Sequence, residues 1–241
     1  MQNNQPAVKR AILKLSGEAL AGDRGTGLDF AVMSAVCAAA GRCLALGVEL
    51  GVVVGAGNFW RGAKDGGGRM ERTRADYMGM LATVMNCLAL ADVFQQQGVD
   101  AVVQSALAIQ AAAEPYSRPR ADEHLKAGRV VLFGGGTGCP FFSTDTGAVL
   151  RAAELGADVV LLAKNIDGVY SADPRKDVTA VRYDRLTYDE VLTRRLAVMD
   201  GTATSLALES RIPVRVFALR DPENIVRAVR GEGIGTLVTF S

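Results

Sequence analysis

The sequence predicts an α/β fold of three layers, in which helices cover both faces of a mostly parallel central sheet. Short runs rich in β-branched residues alternate with longer helical patterns along the 241 residues. Each run is apolar through most of its length, which is typical of strands buried on both faces. Hydrophobic residues make up 49% of the chain and charged residues 22%, as in a packed globular protein. No linker or repeat marks a boundary, so we expect one domain over residues 1–241.

The predicted elements follow one another as strand and helix. Seven strands are expected, at residues 11–15, 48–54, 101–104, 129–133, 158–162, 214–217 and 236–239. Five helices are expected, near residues 29–46, 75–97, 143–155, 200–210 and 222–230. The helix at 75–97 is apolar on almost every side, which leaves three alternatives: a place deep in the core, a subunit interface, or a methionine-lined ligand groove.

Composition excludes several classes of function. The formal charge is +1, from 27 basic and 26 acidic residues, so the chain has no overall positive charge that would attract a nucleic acid. Four cysteines without a CxxC pair and one histidine do not make a zinc site, and they indicate reduced thiols of a cytoplasmic protein. The sequence lacks an apolar run of about 20 residues and a signal-peptide core, so we expect no membrane partner.

Three glycine-bearing turns follow predicted strands and are the main candidates for binding a ligand. They are Lys14-Leu15-Ser16-Gly17, the turn at 55–58 and the turn at 134–138. In a parallel sheet all three leave the carboxyl edge, where glycine lets backbone N–H groups approach an anion. Each could also be a simple tight turn. Lys14 ends an apolar strand, where a lysine is costly without an anion, and Arg61 suits bidentate contact with phosphate.

Two common nucleotide-binding motifs are absent from the sequence. Neither GxxxxGK[ST] nor GxGxxG occurs, which disfavours a P-loop enzyme and a Rossmann dehydrogenase. The third turn continues into Ser143, Thr144 and Asp145, where the hydroxyls predict a helix N-cap and the aspartate could orient a lysine or hold a metal-bound water. The loop at 164–174 is either a turn-rich loop or a purine and ribose site with Tyr170 against the ring. The loop at 62–72 is either a mobile lid or a surface loop.

Taken together, these segments resemble the bacterial uridylate kinases of the amino acid kinase superfamily, which phosphorylate UMP from ATP. The resemblance covers nearly the whole chain. Its motifs are, in order, Lys14-Leu-Ser-Gly17-Glu-Ala-Leu20, Gly55-Ala-Gly-Asn-Phe-Trp-Arg-Gly62, Asp76-Tyr-Met-Gly-Met-Leu-Ala-Thr-Val-Met-Asn86, Gly136-Thr-Gly-Cys-Pro-Phe-Phe-Ser-Thr-Asp145, Asp167-Gly-Val-Tyr-Ser-Ala-Asp-Pro174 and Val198-Met-Asp200. It implies the amino acid kinase fold, with an approximate UMP-binding part at 1–155 and an approximate ATP-binding part at 156–241.

The resemblance also implies site residues. The ATP-binding residues would be Lys14, Leu15, Ser16, Gly17, Gly57, Arg61, Asn165, Tyr170 and Asp173. The UMP-binding residues would be Ala56, Asp76, Thr137, Gly138, Cys139, Pro140, Phe141, Phe142, Ser143 and Thr144. Two positions depart from the family pattern, because Ala56 replaces a glycine found in many members and Cys139 replaces the usual asparagine. The loss of that amide puts one side-chain contact to UMP in doubt.

The implied reaction needs no general base, because the attacking phosphate of UMP is largely ionised at neutral pH. Lys14 and Arg61 would supply cationic stabilisation, while Asp145 and Asp200 would orient the lysine or magnesium waters. Magnesium would arrive with ATP rather than bind the protein directly. The family is typically a homohexamer. The alternatives are another phosphotransferase of the superfamily, acting on a carboxylate or carbamate, and a non-catalytic oxyanion-binding protein on the same fold.

Overall fold

A computed structural model of the protein describes residues 6–61, 65–66 and 68–240. The strands in this part of the chain are β1 (Arg10–Leu15), β2 (Glu49–Val54), β3 (Ala101–Ser105), β4 (Glu114–Pro115), β5 (Val130–Gly134), β6 (Val159–Lys164), β7 (Val169–Tyr170), β8 (Arg182–Tyr183), β9 (Arg185–Thr187), β10 (Val214–Ala218) and β11 (Thr236–Thr239). The α-helices are α1 (Gly17–Leu20), α2 (Phe30–Ala45), α3 (Arg72–Gln96), α4 (Arg118–Lys126), α5 (Thr144–Leu155), α6 (Tyr188–Thr193), α7 (Gly201–Glu209) and α8 (Glu223–Val229), with a short 3-10 helix at Gly22–Arg24.

Nine of the strands form one sheet in the order β4-β3-β5-β2-β1-β6-β10-β11-β9. All neighbours are parallel except β10 and β11, which confirms the predicted, mostly parallel sheet. The remaining two strands, β7 and β8, pair as an antiparallel hairpin. The order in which strands are added to the sheet reverses at β1. Leu13 pairs with Val52 of β2 on one side of this strand and with Leu161 of the much later β6 on the other. Such a switch point is where ligands bind in open α/β sheets.

Helices cover both faces of the sheet, so the predicted three layers are confirmed. Helices α2, α3 and α8 pack on the face that receives Leu13 and Leu15. Helices α4, α5, α6 and α7 pack on the opposite face, which receives Ile12. Because neighbouring residues of β1 point to opposite faces and both sets are buried, the strand is apolar apart from Arg10 and Lys14.

Helix α3 confirms one of the alternatives left open by its sequence, a place in the core. One face packs in the core through residues such as Leu90 and Phe94. The other leaves a stripe of large apolar residues exposed, consisting of Tyr77, Met78, Leu81, Met85 and Leu88. By length and composition alone α3 could cross a membrane, with a mean hydropathy of 1.5 over 18 residues, but 50% of that window is buried, as in a core helix.

All predicted strands and helices are observed, with ends that differ by a few residues. The prediction missed α1, α4, α6 and the short strands β4 and β7 to β9. Helix α4 begins with Arg-Pro-Arg and buries only Ala121 and Leu125, so its apolar periodicity is too weak to read. Residues 62–64 and 67, from the loop predicted as a lid or a surface loop, lie outside the described residues.

Candidate active site

The three predicted turns meet at the carboxyl edge of β1, β2 and β5. Between them and the start of α3 lies an inner cavity of about 500 Å³. Its walls are formed by Lys14, Ser16, Gly17, Glu18, Gly55, Ala56, Gly57, Trp60, Arg61, Asp76, Gly79, Met80, Thr83, Gly136, Thr137, Cys139, Phe142, Ser143 and Thr144. The convergence of the three turns, expected from the strand order, is thus observed.

A second, outer cavity of about 710 Å³ lies between β1 and the loop that follows β6. Its walls include Lys164, Asn165, Tyr170 and Asp173 together with Arg175, Arg194 and Arg195. Three residues line both cavities, namely Lys14, Ser16 and Glu18. The first turn therefore forms the junction between two spaces of comparable size.

Gly17 allows the first two turns to touch through their backbones. A Cβ atom at this position would lie 2.4 Å from the carbonyl oxygen of Gly55, 2.7 Å from the backbone nitrogen of Gly57 and 2.7 Å from Oδ1 of Asn58. No side chain fits at such distances, so the close approach of the two turns requires glycine.

The second turn is held from below by a buried pair of asparagines. The side-chain amides of Asn58 and Asn86 bond to each other at 2.9 Å, and Asn86 also donates to the Gly55 carbonyl at 2.8 Å. Asn58 donates further to the carbonyl of Gly27 at 2.8 Å. Because Asn86 belongs to α3, this network fixes the turn against the core helix.

Lys14 and Lys164 share Asp145 as their counter-ion. Nζ of Lys14 lies 2.8 Å from Oδ1 of Asp145, and Nζ of Lys164 lies 3.5 Å from Oδ2. These side chains are only 12%, 23% and 14% exposed for Lys14, Lys164 and Asp145 respectively. Burial favours the neutral carboxylic acid, but attraction to Lys14 and then Lys164 outweighs it and holds the pKa of Asp145 below its usual value. The carboxylate is therefore charged at neutral pH.

The other predicted cation, Arg61, forms an ion pair with Glu18. Both side chains are partly exposed, and both line the inner cavity. Glu18 belongs to α1, directly after the first turn, so the pair connects the ends of the first two turns. An incoming phosphate would compete with Glu18 for the guanidinium group.

The backbone of the third turn takes a left-handed conformation that glycine adopts without strain. Gly135, Gly136 and Gly138 have φ angles of 75°, 58° and 83°, in the left-handed region. The backbone nitrogen of Gly135 donates to the hydroxyl of Thr83 at 2.8 Å, which ties the turn to α3. Helix α5 then begins with Ser143 as its N-cap, as predicted, with Oγ accepting from the nitrogen of Thr146 at 3.0 Å.

Asp76, near the start of α3, reaches the loop between the third turn and α5. Its carboxylate accepts from Nε of Arg72 at 2.8 Å and from the backbone nitrogen of Phe141 at 2.9 Å. Phe141 has a φ of 71°, which is unusual for a residue with a side chain, and its ring lies under the Arg72 guanidinium. These contacts set the mouth of the inner cavity.

Asp200 lies at the N-cap of α7, where Oδ1 accepts from the nitrogen of Ala203 at 3.1 Å. Its carboxylate also accepts from the hydroxyls of Ser143 and Thr146. Asp200 thus joins α7 to the start of α5. The structure brings it to the helix that carries Asp145, but it forms no ion pair with Lys14 among the described contacts.

Three predicted ATP-binding residues line the outer cavity together. Asn165 and Tyr170 flank the β6 to β7 turn, and the Tyr170 hydroxyl donates to Asp167 at 2.8 Å, which raises the pKa of Tyr170. Asp173 accepts from Nε of Arg175 at 3.1 Å at the rim. Tyr170 therefore presents an aromatic ring beside polar side chains, as the sequence suggested for a base and ribose.

Most of the predicted site residues line one of the two cavities, and six do not. Asp145 and Asp200 line neither cavity, although they contact Lys14 and Ser143, which do. Leu15 has its side chain in the core, so only its backbone is available to a ligand. Gly138, Pro140 and Phe141 belong to the loop over the inner cavity without forming its wall. Sequence reasoning missed Glu18, Lys164 and the pair of Asn58 and Asn86. Lys164 ends an apolar strand much as Lys14 does, but the polar loop that follows it obscures that signal.

The described residues contain no cluster of three or more His, Cys, Asp or Glu side chains arranged to hold a metal ion. Asp145 Oδ1 nevertheless accepts no hydrogen bond within the described part of the chain, although it is buried. The Lys14 ammonium pairs with it by charge at 2.8 Å but does not satisfy hydrogen-bond geometry. That oxygen could accept from a water bound to a metal.

Comparison with known proteins agrees with this geometry. The sequence profile of the amino acid kinase family matches residues 9–218. The chain belongs to the amino acid kinase family. The fold class and the resemblance predicted from the sequence are therefore confirmed.

Solved structures of family members are similar over almost the whole chain. The UMP kinase from Bacillus anthracis has a TM-score of 0.93 at 36% identity, covering 96% of both chains. The UMP kinase from Ureaplasma parvum has a TM-score of 0.91 at 33% identity, covering 96% of this chain and 98% of that one. The uridylate kinase from Archaeoglobus fulgidus has a TM-score of 0.76 at 32% identity, covering 95% and 99%. All three of these members of the family are kinases of the same nucleotide, UMP (uridylate).

Proposed function

We propose that this protein is a UMP kinase, which transfers the γ-phosphoryl group of ATP to UMP and gives UDP and ADP in pyrimidine nucleotide synthesis. The observation that carries the proposal is the position of Lys14 at the junction of the inner and outer cavities, with Asp145 as its partner. Two nucleotides bound in these cavities would bring their phosphates together at that lysine. The similarity to UMP kinases supports uracil as the acceptor base.

The acceptor would bind in the inner cavity and the donor in the outer one. Asp76 would hold the ribose of UMP, and the loop from Thr137 to Thr144 would enclose the nucleotide with Ala56. Asn165, Tyr170 and Asp173 would hold the base and ribose of ATP, while the first turn, Gly57 and Arg61 would hold its phosphates. Residues 1–155 and 156–241 would then be approximate acceptor and donor parts of one domain.

Catalysis would consist of alignment and charge neutralisation. An ionised phosphate oxygen of UMP attacks the γ-phosphorus, so no side chain has to remove a proton. Lys14 balances negative charge on the transferred group, and Asp145 fixes the position of its ammonium. Arg61 exchanges Glu18 for phosphate oxygens when ATP binds. Asp200 holds the starts of α5 and α7 together through Ser143 and Thr146, so it would act by positioning.

Magnesium fits this site as a companion of ATP. When bound, the ion would neutralise charge on the donor phosphates while keeping most of its waters. Oδ1 of Asp145, which pairs by charge with Lys14 and accepts no hydrogen bond among the described residues, could accept from one of those waters without being a ligand of the metal itself.

We also propose that the protein is a cytoplasmic homohexamer. Five large apolar side chains exposed along one stripe of α3 support self-association, since a helix face of this kind is usually covered. Met85, which is 52% exposed, lies on the stripe, and Met85→Lys should give a smaller species in light scattering after size exclusion. Met70→Lys, at an exposed methionine outside α3, is the matched control. A wild-type monomer would contradict the proposal.

The reaction is tested by measuring ADP release from ATP with a panel of acceptors, namely UMP, CMP, dUMP, glutamate and carbamate. Release that depends on UMP is expected, together with UDP as product. Lys14→Ala should lower kcat by about 10²-fold to 10³-fold, as for removal of one charge-stabilising group. Lys126→Ala, at an exposed lysine on α4, should leave it unchanged. Turnover with glutamate or carbamate but not UMP would favour another family activity, and anion binding without turnover a non-catalytic protein.

A further inference from the structure

Arg151 is a buried arginine beneath the third turn, and the mechanism above gives it no role. It lies on α5, and its side chain is only 5% exposed. A buried ion pair contributes little to stability, because apolar side chains of similar size often stabilise a protein as well or better. The contacts of this arginine therefore have to be considered for a role beyond stability.

The guanidinium group of Arg151 is fixed from two sides. Its Cζ atom lies 3.5 Å from the centre of the Tyr116 ring, and Nη1 donates to Oε2 of Glu154 at 2.5 Å. The Tyr116 hydroxyl donates to the same carboxylate oxygen at 2.5 Å. Burial, and then the bond to Glu154, raises the pKa of Tyr116 to about 12, so the hydroxyl stays a donor at neutral pH. A planar group stacked on a ring and bonded to a carboxylate is held in one orientation.

The remaining edge of the guanidinium faces the third turn. Nη2 of Arg151 lies 3.5 Å from the carbonyl oxygen of Gly136, at the limit of a hydrogen bond. Gly147 lies four residues before Arg151, on the same face of α5. A Cβ atom at Gly147 would be 3.8 Å from the carbonyl carbon of Gly136, so the helix packs directly against the turn. Helix α5 thus reaches the same peptide group at two points.

This contact sets the direction of the next backbone N–H group. In a trans peptide the carbonyl of one residue and the N–H of the next point in opposite directions, and none of the described peptides is cis. The Gly136 carbonyl points to Arg151, which is not a wall residue of the inner cavity, whereas Gly136 and Thr137 both are. The Thr137 N–H therefore points to the cavity side of the turn. It donates to no acceptor among the described residues.

We propose that Arg151 is a positioning residue for the acceptor, which orients the N–H group of Thr137 toward an oxygen atom of UMP. The inference rests on the proposed kinase function. Arg151 touches neither substrate, and it acts only through the peptide group between Gly136 and Thr137. Its loss should weaken the binding of UMP equally in the ground state and the transition state, which raises the KM for UMP and leaves kcat unchanged.

Two variants and a control separate this role from a structural one. Arg151→Met keeps a long apolar side chain in the same space but removes both donors. The double variant Arg151→Met with Glu154→Met also removes the carboxylate that the single variant leaves unpaired, so it protects the fold. Arg10→Met is the matched control, because the Arg10 side chain is 12% exposed and donates to the carbonyl of Leu155, at the other end of α5 and away from both cavities.

The experiment measures kcat, the KM for each substrate, the thermal unfolding midpoint and the Kd for UMP. The Kd is read from the fluorescence of Trp60, the only tryptophan of the chain and a wall residue of the inner cavity. We expect both Arg151 variants to raise the Kd and the KM for UMP about tenfold, as for the loss of about one hydrogen bond, with kcat and the KM for ATP within about threefold of the wild type. Arg10→Met should leave the values for UMP unchanged even where its unfolding midpoint falls.

The outcomes that would overturn the inference are distinct. A folded Arg151 variant with a KM for UMP within about twofold of the wild type would do so, as would an equal rise in the KM for ATP. Loss of folding in both Arg151 variants would also overturn it, since the role would then be structural. Wild-type protein inactive with UMP would instead overturn the proposed function, and the inference with it.

Discussion

Replacing Gly17 by alanine tests the close contact between the first two turns. The new methyl group would lie 2.4 Å from the Gly55 carbonyl oxygen, whereas ordinary contact begins near 3.4 Å. The nitrogen of Gly57 and the amide oxygen of Asn58, both at 2.7 Å, prevent a sideways escape. Since two of these three neighbours are backbone atoms, the turns have to separate by about 1 Å.

The expected effect is larger on catalysis than on stability. Overpacking of this kind costs about 1–3 kcal/mol of unfolding free energy. A displacement of about 1 Å in groups that align the reactants costs about 10²-fold in rate. We therefore expect Gly17→Ala to fold, to unfold at a lower temperature and to lose about 100-fold in kcat, because Lys14 and Arg61 no longer face the same phosphate.

The assay is steady-state ADP release with UMP, combined with thermal unfolding. Gly233→Ala is the matched control, since this exposed glycine has no atom within 4 Å of an added Cβ and no positive φ. It should match the wild type in both measurements. If Gly17→Ala retained a kcat within about twofold of the wild type, the contact between the turns would not control the alignment of the reactants.

Three further changes test the parts around this contact. Asn86→Ala should lower the unfolding free energy by about 2–4 kcal/mol in urea titration, because it leaves the side-chain oxygen of Asn58 and the Gly55 carbonyl without their donor; an unchanged midpoint would contradict the role of the network. Asp145 has a lowered pKa in the folded protein, so its ionised form stabilises the fold. This stabilisation is fully present above the unfolded pKa of about 3.9, and it is lost as the pH falls through the pKa of the folded protein. Asp145→Asn should therefore unfold with a smaller acid dependence in that range, and an identical dependence would refute the ion pairs. Cys139, the one exposed thiol in the described chain, should react with a thiol reagent and be protected by UMP more than by ATP, and equal protection would place it outside the acceptor cavity.

The fold followed from the sequence because its main signals are local. Strands such as β1 and β6 are buried on both faces, so they are apolar apart from Arg10, Lys14 and Lys164 and can be recognised in the sequence alone. Helix α4 could not be read, because only two of its residues are buried and its first turn contains proline. The sheet order required the structure, since the pairing of β1 with β6 joins segments far apart in the chain.

The site residues that could be predicted are those whose signal lies within one short segment of the sequence. Lys14 was found because a lysine at the end of an apolar strand is unusual, whereas Lys164, in the same situation, was masked by the polar loop that follows it. The pairing of Arg61 with Glu18 depends on how two turns meet, which no local pattern encodes. Asn86 gave a weak signal, an amide within an apolar helix, but its partner in the second turn was visible only in the fold.

The central position of β1 has a consequence for how the enzyme is made. Ala11 pairs with Val159, so β1 is completed in the sheet by a strand that is made much later. A nascent chain that ends before β6 exposes an unpaired edge of β1 and lacks Lys164 beside Lys14. Acceptor and donor parts are therefore not expected to fold separately and then join. Activity should begin only after β6 has been released from the ribosome and added to the sheet.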